Sequence, residues 1–321
     1  MTMHAAVVRS FDHPPRYETW DTPVPAGPDQ TRLDVLAVGL HPRVRTDAGG
    51  RHYTSTGALP MIPGIDGIGR VADGSLVYFV SPEDVWGSMA EQAVVDLRRT
   101  VRLADTVDVV RLAAAMNPAM SSWVALRRRV PLQPGQSVLV LGATGNAGAM
   151  AVQVAKLLGA GRVIGAGRNP ARLAALSALG ADDVVALSDP ADSAGSDLAE
   201  AAAEVDVVVD YLWGEPASTA MMAILRARVD RGRALEWIQV GAVAAPTIDL
   251  PSVALRSANL RIQGNGQGAV SSAAYLGELP ALIEEIDRGA ISVEAHPVPL
   301  SDVEATWGRP EPSGRRTVLI P

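Results

Sequence analysis

The sequence predicts an α/β protein in which a doubly wound parallel sheet accompanies a second, β-rich domain. Strand-like and helical segments alternate between residues 137 and 264, as they do in doubly wound sheets. The first hundred residues instead carry short strand-like runs separated by prolines, which is typical of β-rich domains. The 321 residues exceed the ~250–300 at which a single core usually stops growing, so two domains are expected.

The alternating region contains six strand candidates. The first, Ser137–Leu141, is a continuous apolar run, as expected of a parallel strand that is buried on both faces. The helix after it carries an apolar stripe and stops at Gly159, a residue that favours helix C-termini. The other strand candidates are residues 162–166, 183–187, 205–210, 235–241 and 260–264. Helices are predicted between most of them, over residues 171–179, 197–204 and 217–229.

The β-rich domain is predicted to receive chain from both ends of the sequence. Asp73 and Gly74 join two strand-like runs, and this dipeptide favours a tight hairpin turn. A helix is predicted over residues 110–129, shortly before the alternating region begins at residue 137. After Gly266 the alternation stops, leaving one predicted helix over residues 276–288 and a strand over 317–320 that is expected to return to the first domain. The predicted domains are 1–117 with 267–321, and 118–266.

Composition excludes several classes of protein. The absence of cysteine excludes disulfides, thiol catalysis and cysteine-ligated zinc. A net charge of −7 disfavours a general nucleic-acid surface. No run approaches the ~18–20 apolar residues of a membrane span, and the first residues lack the apolar core of a secretion signal. We therefore expect a cytoplasmic protein that acts on a small molecule and contacts neither nucleic acid nor membrane.

A glycine-rich turn follows the first strand of the alternating region. Gly142, Gly145 and Gly148 have the spacing G-x-x-G-x-x-G and lead directly into a helix. Small residues let the backbone approach a pyrophosphate, while the helix N-terminus offers N–H groups and the positive end of its dipole. A tight turn without a ligand is the alternative. The predicted phosphate-binding residues are Gly142, Thr144, Gly145, Asn146, Ala147 and Gly148.

The end of the second strand of this region distinguishes the two nicotinamide cofactors. An NAD site has Asp or Glu about 20 residues past the glycine turn, whereas no acid occurs here before Asp182. Arg168 and Arg172 stand there instead, and guanidinium groups bind a 2′-phosphate through charge-assisted hydrogen bonds. With Gly167 and Asn169 they predict an NADP(H) site. Two solvated arginines at a helix start are the alternative.

Three further strand ends are expected at the same edge of the sheet. Ligands of open α/β sheets bind outside the carboxyl ends of the strands. Gly241 and Ala242 after the fifth strand, and Gly264 and Asn265 after the sixth, are therefore expected to line the nicotinamide pocket. Asp210 ends the fourth strand, and we expect it to cap or buttress the turn.

Six segments of the chain resemble those of a known family in their order and spacing. They are residues 38–42 (VGLHP), 63–71 (PGIDGIGRV), 117–123 (NPAMSSW), 142–148 (GATGNAG), 168–170 (RNP) and 314–319 (GRRTVL). Over nearly its whole length the chain resembles the medium-chain dehydrogenase/reductase superfamily, within it the zinc-free, quinone oxidoreductase-like branch. The resemblance implies a Rossmann NADP-binding domain inserted in a GroES-like catalytic domain, an active site in the cleft against the Rossmann domain, and a homodimer.

The chain departs from the zinc-dependent relatives at their metal ligands. Their first ligand, a cysteine, falls at His41, and the Gly-His-Glu stretch of those enzymes falls at Gly64, Ile65 and Asp66. A later cysteine of theirs falls near residues 117–119, where no strong ligand occurs. One histidine and one aspartate do not form the usual three-ligand catalytic zinc site. The resemblance therefore implies a zinc-independent enzyme, and no residue is predicted to bind a metal.

Three residues are candidates for the chemistry. The resemblance places His41 near the nicotinamide, where it can donate a hydrogen bond to a developing oxyanion; a histidine that caps the turn before Pro42 is the alternative. Tyr53 lies in a loop that bears tyrosines in the resembled enzymes, and it is a proton donor, an oxyanion partner or a half-buried loop residue. Asn117 either contacts the nicotinamide amide or is a turn residue that breaks the helix.

The sequence thus predicts NADPH-dependent reduction of a quinone or an α,β-unsaturated carbonyl. Without a metal, the hydride must go to an acceptor that is already polarised. Two alternatives remain open. One is an enoyl-thioester or imine reductase of secondary metabolism on the same fold. The other is a non-catalytic NADPH-binding protein that serves as a sensor or a structural protein.

Overall fold

A computed structural model describes residues 1–81, 85–187, 194–311 and 314–321 of the chain. Within them the chain forms two compact units, one of Met1–Asn117 with Leu279–Pro321 and one of Pro118–Glu278. No helix of this described part is long and apolar enough to cross a membrane.

The strands and helices are numbered in chain order. The strands are β1 (Thr2–Val7), β2 (Arg16–Asp21), β3 (Gln30–Gly39), β4 (Asp66–Val71), β5 (Leu76–Val80), β6 (Gln92–Asp96), β7 (Thr100–Arg102), β8 (Ser137–Leu141), β9 (Arg162–Gly167), β10 (Asp183–Ala186), β11 (Val207–Asp210), β12 (Leu235–Gln239), β13 (Leu260–Gly264), β14 (Glu294–Pro299) and β15 (Arg315–Ile320). The helices are α1 (Pro42–Ala48), α2 (Val109–Val124), α3 (Asn146–Leu157), α4 (Pro170–Leu176), α5 (Ala194–Ala202), α6 (Gly214–Ala227), α7 (Ser252–Ser257), α8 (Ser272–Leu276), α9 (Leu279–Asp287) and α10 (Val303–Trp307).

The second unit is built on a parallel sheet with the strand order β10-β9-β8-β11-β12-β13. From β8 the chain adds β9 and β10 on one side, then returns to add β11, β12 and β13 on the other. The doubly wound parallel sheet predicted from the alternation is therefore confirmed. Ligands of such sheets bind at the carboxyl edge where the winding reverses, which here lies between β8 and β11.

Burial on both faces explains why these strands are apolar runs. Leu139, Ile164, Val208 and Trp237 come from four adjacent strands, are completely buried and belong to one cluster. Burying a side chain of this kind contributes roughly 1.5–3 kcal/mol relative to leaving it exposed. The cluster makes the sheet a rigid support for the turns at its carboxyl edge.

The first unit is β-rich. One sheet has the order β14-β15-β3-β4-β5-β7, with β6 also paired to β3, and β1 and β2 form an antiparallel pair. The last strand pairs with β3 through Leu319 opposite Val38, so the C-terminal segment returns to the sheet of the N-terminal segment. The predicted hairpin forms between β4 and β5, where Gly74 has a φ of +88°.

Two local predictions are wrong. The helix predicted over residues 276–288 begins only at Leu279, as α9, because the separate helix α8 ends at Leu276 and Gly277 and Glu278 lie between them. Pro280 lies in the first turn of α9 and has no N–H to continue the hydrogen bonds of α8. Asn117 does not break a helix either, because α2 runs through it and through Pro118.

The second unit extends to Glu278, beyond residue 266 where the sequence placed the boundary. A π-helical turn at the end of α2, Ala125–Arg129, carries three arginines that hold this extension. Arg129 donates to the carbonyl oxygens of Gly264 (3.0 Å) and Ala269 (3.2 Å). Arg127 donates to the Glu278 carboxylate at 2.6 Å, and Arg128 donates to the same carboxylate.

Candidate functional site

The glycine-rich turn joins β8 to α3 at the carboxyl edge of the parallel sheet. Gly142 has a φ of +85°, a conformation that favours glycine, and its N–H donates to the carbonyl oxygen of Ala166 at 2.9 Å. The Gly145 N–H donates to the Gly142 carbonyl at 3.0 Å, which closes the turn. Gly145 is also the N-cap of α3 and supplies no side-chain cap. The first turn of α3 therefore presents backbone N–H groups that have no intrahelical acceptor.

The turn has no room for larger residues. A Cβ on Gly148 would lie 2.2 Å from the Gly142 carbonyl oxygen, and one on Gly167 would lie 2.5 Å from the Thr144 Cγ2 atom. The turn after β8 thus packs directly on the end of β9. This cradle of backbone at a helix N-terminus fits a pyrophosphate, as the spacing predicts.

The arginine segment lies next to this turn. Asn169 caps α4 by accepting from the Arg172 N–H at 3.1 Å. The Arg172 guanidinium donates to the Asn146 carboxamide oxygen at 2.9 Å, and burial lowers the pKa of Arg172. Arg168 is exposed and has no hydrogen-bond or ion-pair partner within the described ranges. A cation at a helix N-terminus opposes the dipole, so these arginines are not explained by the stability of α4.

Asp210 supports the turn after β11. Its carboxylate is completely buried and accepts from the N–H groups of Leu212 (2.8 Å) and Trp213 (3.0 Å) and from the Trp237 indole (3.0 Å). Burial raises its pKa, although these three donors act in the opposite direction. The buttressing role predicted for Asp210 is confirmed. The hydrogen bond from the Trp213 N–H to Asp210 also holds Trp213 at a φ of +54°. This conformation costs a non-glycine residue about 1–3 kcal/mol.

The remaining predicted cofactor residues follow β12 and β13. The Gly241 N–H donates to the Asp210 carbonyl oxygen at 3.1 Å, and the Asn265 N–H donates to that of Gln239 at 2.8 Å. Ala242 is exposed beside Gly241, and Gly264 is exposed at the end of β13. All four predicted residues therefore lie at the carboxyl edge of the sheet.

A hydrogen-bond network at this edge was missed by the sequence reasoning. The Tyr211 hydroxyl lies 2.9 Å from the Ser121 Oγ, and the Asn265 carboxamide donates to the Ser121 carbonyl oxygen at 2.8 Å. Tyr211 is buried, which raises its pKa to about 12. Its position directly after a strand end is a signal for the site, whereas nothing in the sequence connects it with Ser121.

His41 lies in the first unit, directly before α1. Its side chain makes no capping hydrogen bond to α1, so the prediction that it caps the turn is wrong. The ring is 2% exposed, and its Nε2 lies 3.5 Å from the Asp66 carboxylate. Burial lowers the pKa of His41, while the hydrogen bond and charge of Asp66 oppose that shift. Asp66 also accepts from the Tyr78 hydroxyl at 2.7 Å.

Tyr53 is exposed, whereas Asn117 is half-buried. Tyr53 is 70% exposed, so it is not the half-buried residue of the alternative prediction, and its ring lies 4.4 Å from that of His52. Burial and the charge of Arg43 lower the pKa of His52 to about 4. Asn117 is half-buried in α2, and its side chain has no hydrogen-bond partner among the residues that the structure describes.

The described residues contain no group of three or more His, Cys, Asp or Glu side chains that could hold a metal ion. Two of the positions compared with zinc ligands hold His41 and Asp66, which form a pair. A third holds Ile65, which is apolar and directly precedes Asp66. A pair of donors is fewer than the three protein ligands of a catalytic zinc.

The chain resembles known proteins in sequence and in structure. Residues 147–283 match the family model described as zinc-binding dehydrogenase. The chain is 32% identical to a probable NADPH-dependent quinone reductase of Emericella nidulans, tdiC, over 99% of this chain and 100% of that protein. It is also 32% identical to the polyketide synthase GfsB of Streptomyces halstedii, over 71% of this chain and 4% of that much longer protein.

Solved structures resemble the whole chain as well. A quinone oxidoreductase from Thermus thermophilus, studied alone and in complex with NADPH, superposes with a TM-score of 0.79 at 25% identity. The superposition covers 99% of this chain and 100% of that one. A probable oxidoreductase from Mycobacterium abscessus gives a TM-score of 0.80 at 25% identity, over 100% and 99% of the two chains.

Proposed function

Because the chain belongs to the quinone oxidoreductase-like branch of the medium-chain dehydrogenase/reductase superfamily, we propose that it transfers hydride from NADPH to a quinone or an α,β-unsaturated carbonyl without zinc. The observation that carries the proposal is the end of β9. There two arginines replace the acid of NAD sites, and Arg172 is bonded to Asn146 of the glycine turn. This arrangement supports one continuous binding surface for a pyrophosphate and a 2′-phosphate.

NADPH supplies the hydride when it is bound, and the residues of the chain hold and orient it. The backbone of the glycine turn and the first turn of α3 bind the pyrophosphate. Arg168 and Arg172 bind the 2′-phosphate, and Asn169 caps α4, the helix that carries Arg172. The nicotinamide end is held by Gly241, Ala242, Gly264 and Asn265 at the carboxyl edge. The remaining residues of the cofactor site are Gly142, Thr144, Gly145, Asn146, Ala147, Gly148 and Gly167.

Zinc does not fit the residues that the structure describes at the positions of the zinc ligands. His41 and Asp66 provide two donors, and Ile65 has no atom that can bind a metal. The acceptor must therefore be polarised by its own structure, as quinones and conjugated enones are. We propose that His41, Tyr53 and Asn117 assist the reaction. The homodimer and the cytoplasmic location implied by the resemblance belong to the same proposal.

An enoyl thioester is the second candidate for the acceptor. The similarity to part of the polyketide synthase GfsB supports it, because polyketide synthases work on acyl thioesters and 71% of this chain is matched. An enoyl thioester is also an alkene conjugated to a carbonyl, so the hydride chemistry is the same. What differs is the carrier attached to the acyl group.

Oxidation of NADPH by the purified protein tests the proposal. The acceptors are a benzoquinone, a naphthoquinone, a simple enone and a crotonyl thioester, each assayed with NADPH and NADH, with and without a chelator. We expect turnover with NADPH that exceeds turnover with NADH and does not change with the chelator. Activity that is lost with the chelator contradicts zinc independence. Equal rates with the two cofactors contradict the assignment of Arg168 and Arg172. Turnover of the thioester alone assigns the second candidate.

A further inference from the structure

We propose that Asn146 is a specificity-determining residue of this enzyme, which holds the Arg172 guanidinium in position for the 2′-phosphate of NADPH without cancelling its charge. The inference rests on the proposed binding of NADPH. It deepens that proposal by naming the residue that makes the arginine selective for the phosphate. Both residues lie in the unit of Pro118–Glu278.

A hydrogen bond between side chains joins the glycine turn to the arginine segment. Asn146 is the first residue of α3, and Arg172 lies in the first turn of α4. The Arg172 Nη2 donates to the Asn146 Oδ1 at 2.9 Å. Because a guanidinium can only donate, the amide of Asn146 must present its oxygen to it. The Arg172 backbone is held as well, since its N–H donates to the Asn169 Oδ1 at 3.1 Å. Arg172 is therefore positioned at both ends before a ligand binds.

The Arg172 guanidinium has no counter-charge in the described part of the chain. Burial lowers its pKa, and no carboxylate opposes that effect. Its Nε and Nη1 atoms have no hydrogen-bond partner among the residues that the structure describes. Arg162, at the start of β9, instead pairs with Asp183 at 2.7 Å. Cations removed from water are normally paired. A phosphate would supply the missing charge and accept from the remaining N–H groups.

Two further positive groups favour an anion here. Arg168 directly follows β9, is exposed and has no hydrogen-bond or ion-pair partner within the described ranges. The N-terminus of α3, which begins at Asn146, adds the positive end of a helix dipole. NADPH carries a 2′-phosphate at the adenosine ribose, where NADH carries a neutral hydroxyl. The uncompensated charge therefore favours NADPH.

The choice of an amide at position 146 is explained by the ligand and not by the stability of the helix. Aspartate has nearly the same shape and would bind the Arg172 guanidinium through a stronger, charge-assisted hydrogen bond. In the first turn of a helix, aspartate would also interact favourably with the dipole. Its carboxylate would, however, neutralise Arg172 and repel the phosphate. Asn146 holds the guanidinium in the same place and leaves its charge available.

The test measures the affinity of the full-length protein for NADPH and for NADH by fluorescence titration, with no acceptor present. For Asn146→Asp we expect the affinity for NADPH to fall at least about 10-fold, the effect of losing one hydrogen bond to a charged group. The affinity for NADH should stay within about twofold of wild type. The thermal midpoint should not fall, because the helix dipole favours the carboxylate.

Asn259→Asp is the matched control. It makes the same change of charge at an exposed residue directly before β13, at the edge of the sheet opposite the carboxyl ends of the strands. This variant should bind both cofactors as wild type does. An Asn146→Asp protein that keeps the wild-type preference for NADPH overturns the inference. So does an equal loss of affinity for the two cofactors, which would give Asn146 a structural role only.

A double-mutant cycle tests the contact itself. Asn146→Ala keeps the charge of Arg172 and removes one hydrogen bond, so the affinity for NADPH should fall about 2–10-fold. In a protein that already carries Arg172→Ala, the same change should have no further effect, because residues in contact are not additive. Additive effects overturn the inference, and this cycle decides the matter if Asn146→Asp does not fold.

The titrations separate this inference from the proposed reaction. A wild-type protein that prefers NADPH but reduces no acceptor refutes the proposed hydride transfer, and the loss of preference in Asn146→Asp would still support the role of Asn146. An active enzyme whose preference survives Asn146→Asp refutes the inference alone. A wild-type protein that binds NADPH and NADH equally overturns both the inference and the assignment of the two arginines.

Discussion

Gly148 faces the carbonyl oxygen of Gly142 so closely that a Cβ on Gly148 would lie 2.2 Å from that oxygen. The same Cβ would lie 2.7 Å from the Cα of Ala143, so the obstacle is backbone rather than a side chain that can move. The first turn of α3 therefore touches the start of the glycine turn. This contact brings the helix N-terminus to the place where a phosphate approaches the end of β8.

Gly148→Ala is expected to displace α3 from the turn. Forcing a methyl group into a filled site typically costs about 1–3 kcal/mol, and the helix N-terminus moves away from the pyrophosphate. We expect weaker NADPH binding by fluorescence titration and a lower thermal midpoint. Gly308→Ala, outside the proposed cofactor site, is the control, because a Cβ there would meet no atom within 4 Å and its φ of −83° is allowed to alanine. Wild-type affinity in Gly148→Ala would contradict this account of the turn.

Arg168→Ala is expected to change the choice of cofactor. A hydrogen bond to a charged group contributes about 1.5–3 kcal/mol, so the KM for NADPH should rise about 10–100-fold while the KM for NADH stays the same. Steady-state kinetics with both cofactors measure this. Arg162→Ala is the matched control, because Arg162 begins the same strand at the opposite end and pairs with Asp183. An equal rise for both cofactors would show that Arg168 does not bind the 2′-phosphate.

The parallel sheet is predictable from the sequence because burial on both faces leaves little choice of residue. The run Ser137–Leu141 becomes β8 with the predicted bounds, and Asp210 ends β11 and supports the turn as expected. Strand ends also identify the carboxyl edge, and with it the candidates for the cofactor site. Each of these features depends on residues that are close in sequence.

The features that sequence reasoning missed depend on distant residues. Tyr211 meets Ser121 across 90 residues, and Asn265 meets it across 144. The side-chain partner of the His41 ring is Asp66, 25 residues away, and this contact cannot be read from the neighbouring Pro42. The separation of α8 from α9 reflects Pro280, whose effect on a helix a hydrophobic pattern does not register.

Acid is expected to destabilise the first unit through the buried His41 and the half-buried His52. Burial lowers the pKa of His52 to about 4 and lowers that of His41 as well. The unfolded chain takes up protons on these rings near pH ~6.5, whereas folded His52 does not until about pH 4. Between these values the unfolded state binds more protons, so stability falls as the pH falls and is fully present above the upper value. Thermal midpoints measured across this range should fall less steeply in His52→Gln than in wild type or His13→Gln. Parallel curves for the three proteins would exclude this contribution of His52.

Glu278 is expected to be a stability determinant of the second unit. It is 2% exposed and accepts from the Trp123 indole at 2.9 Å and from Arg127 at 2.6 Å. Burial raises the pKa of its carboxyl, but the hydrogen bond and charge of Arg127, together with Trp123 and Arg128, outweigh burial and leave the pKa below its ordinary value. The group is therefore a carboxylate at neutral pH. Together with the contacts of Arg129, it holds the segment after β13 to the end of α2.

Glu278→Ala leaves the Trp123 indole without this acceptor and removes the counter-charge of two arginines. Removing one partner of a buried hydrogen bond costs about 1–3 kcal/mol. The cost should stay below that of a fully buried ion pair, because the Arg127 and Arg128 side chains are 40% and 47% exposed and water can solvate them. Glu294→Ala is the control, since Glu294 is 61% exposed and its ion pair with Arg315 lies on the surface; such pairs contribute about 0–1 kcal/mol. Urea unfolding should separate the two variants, and equal midpoints would mean that Glu278 does not anchor the segment.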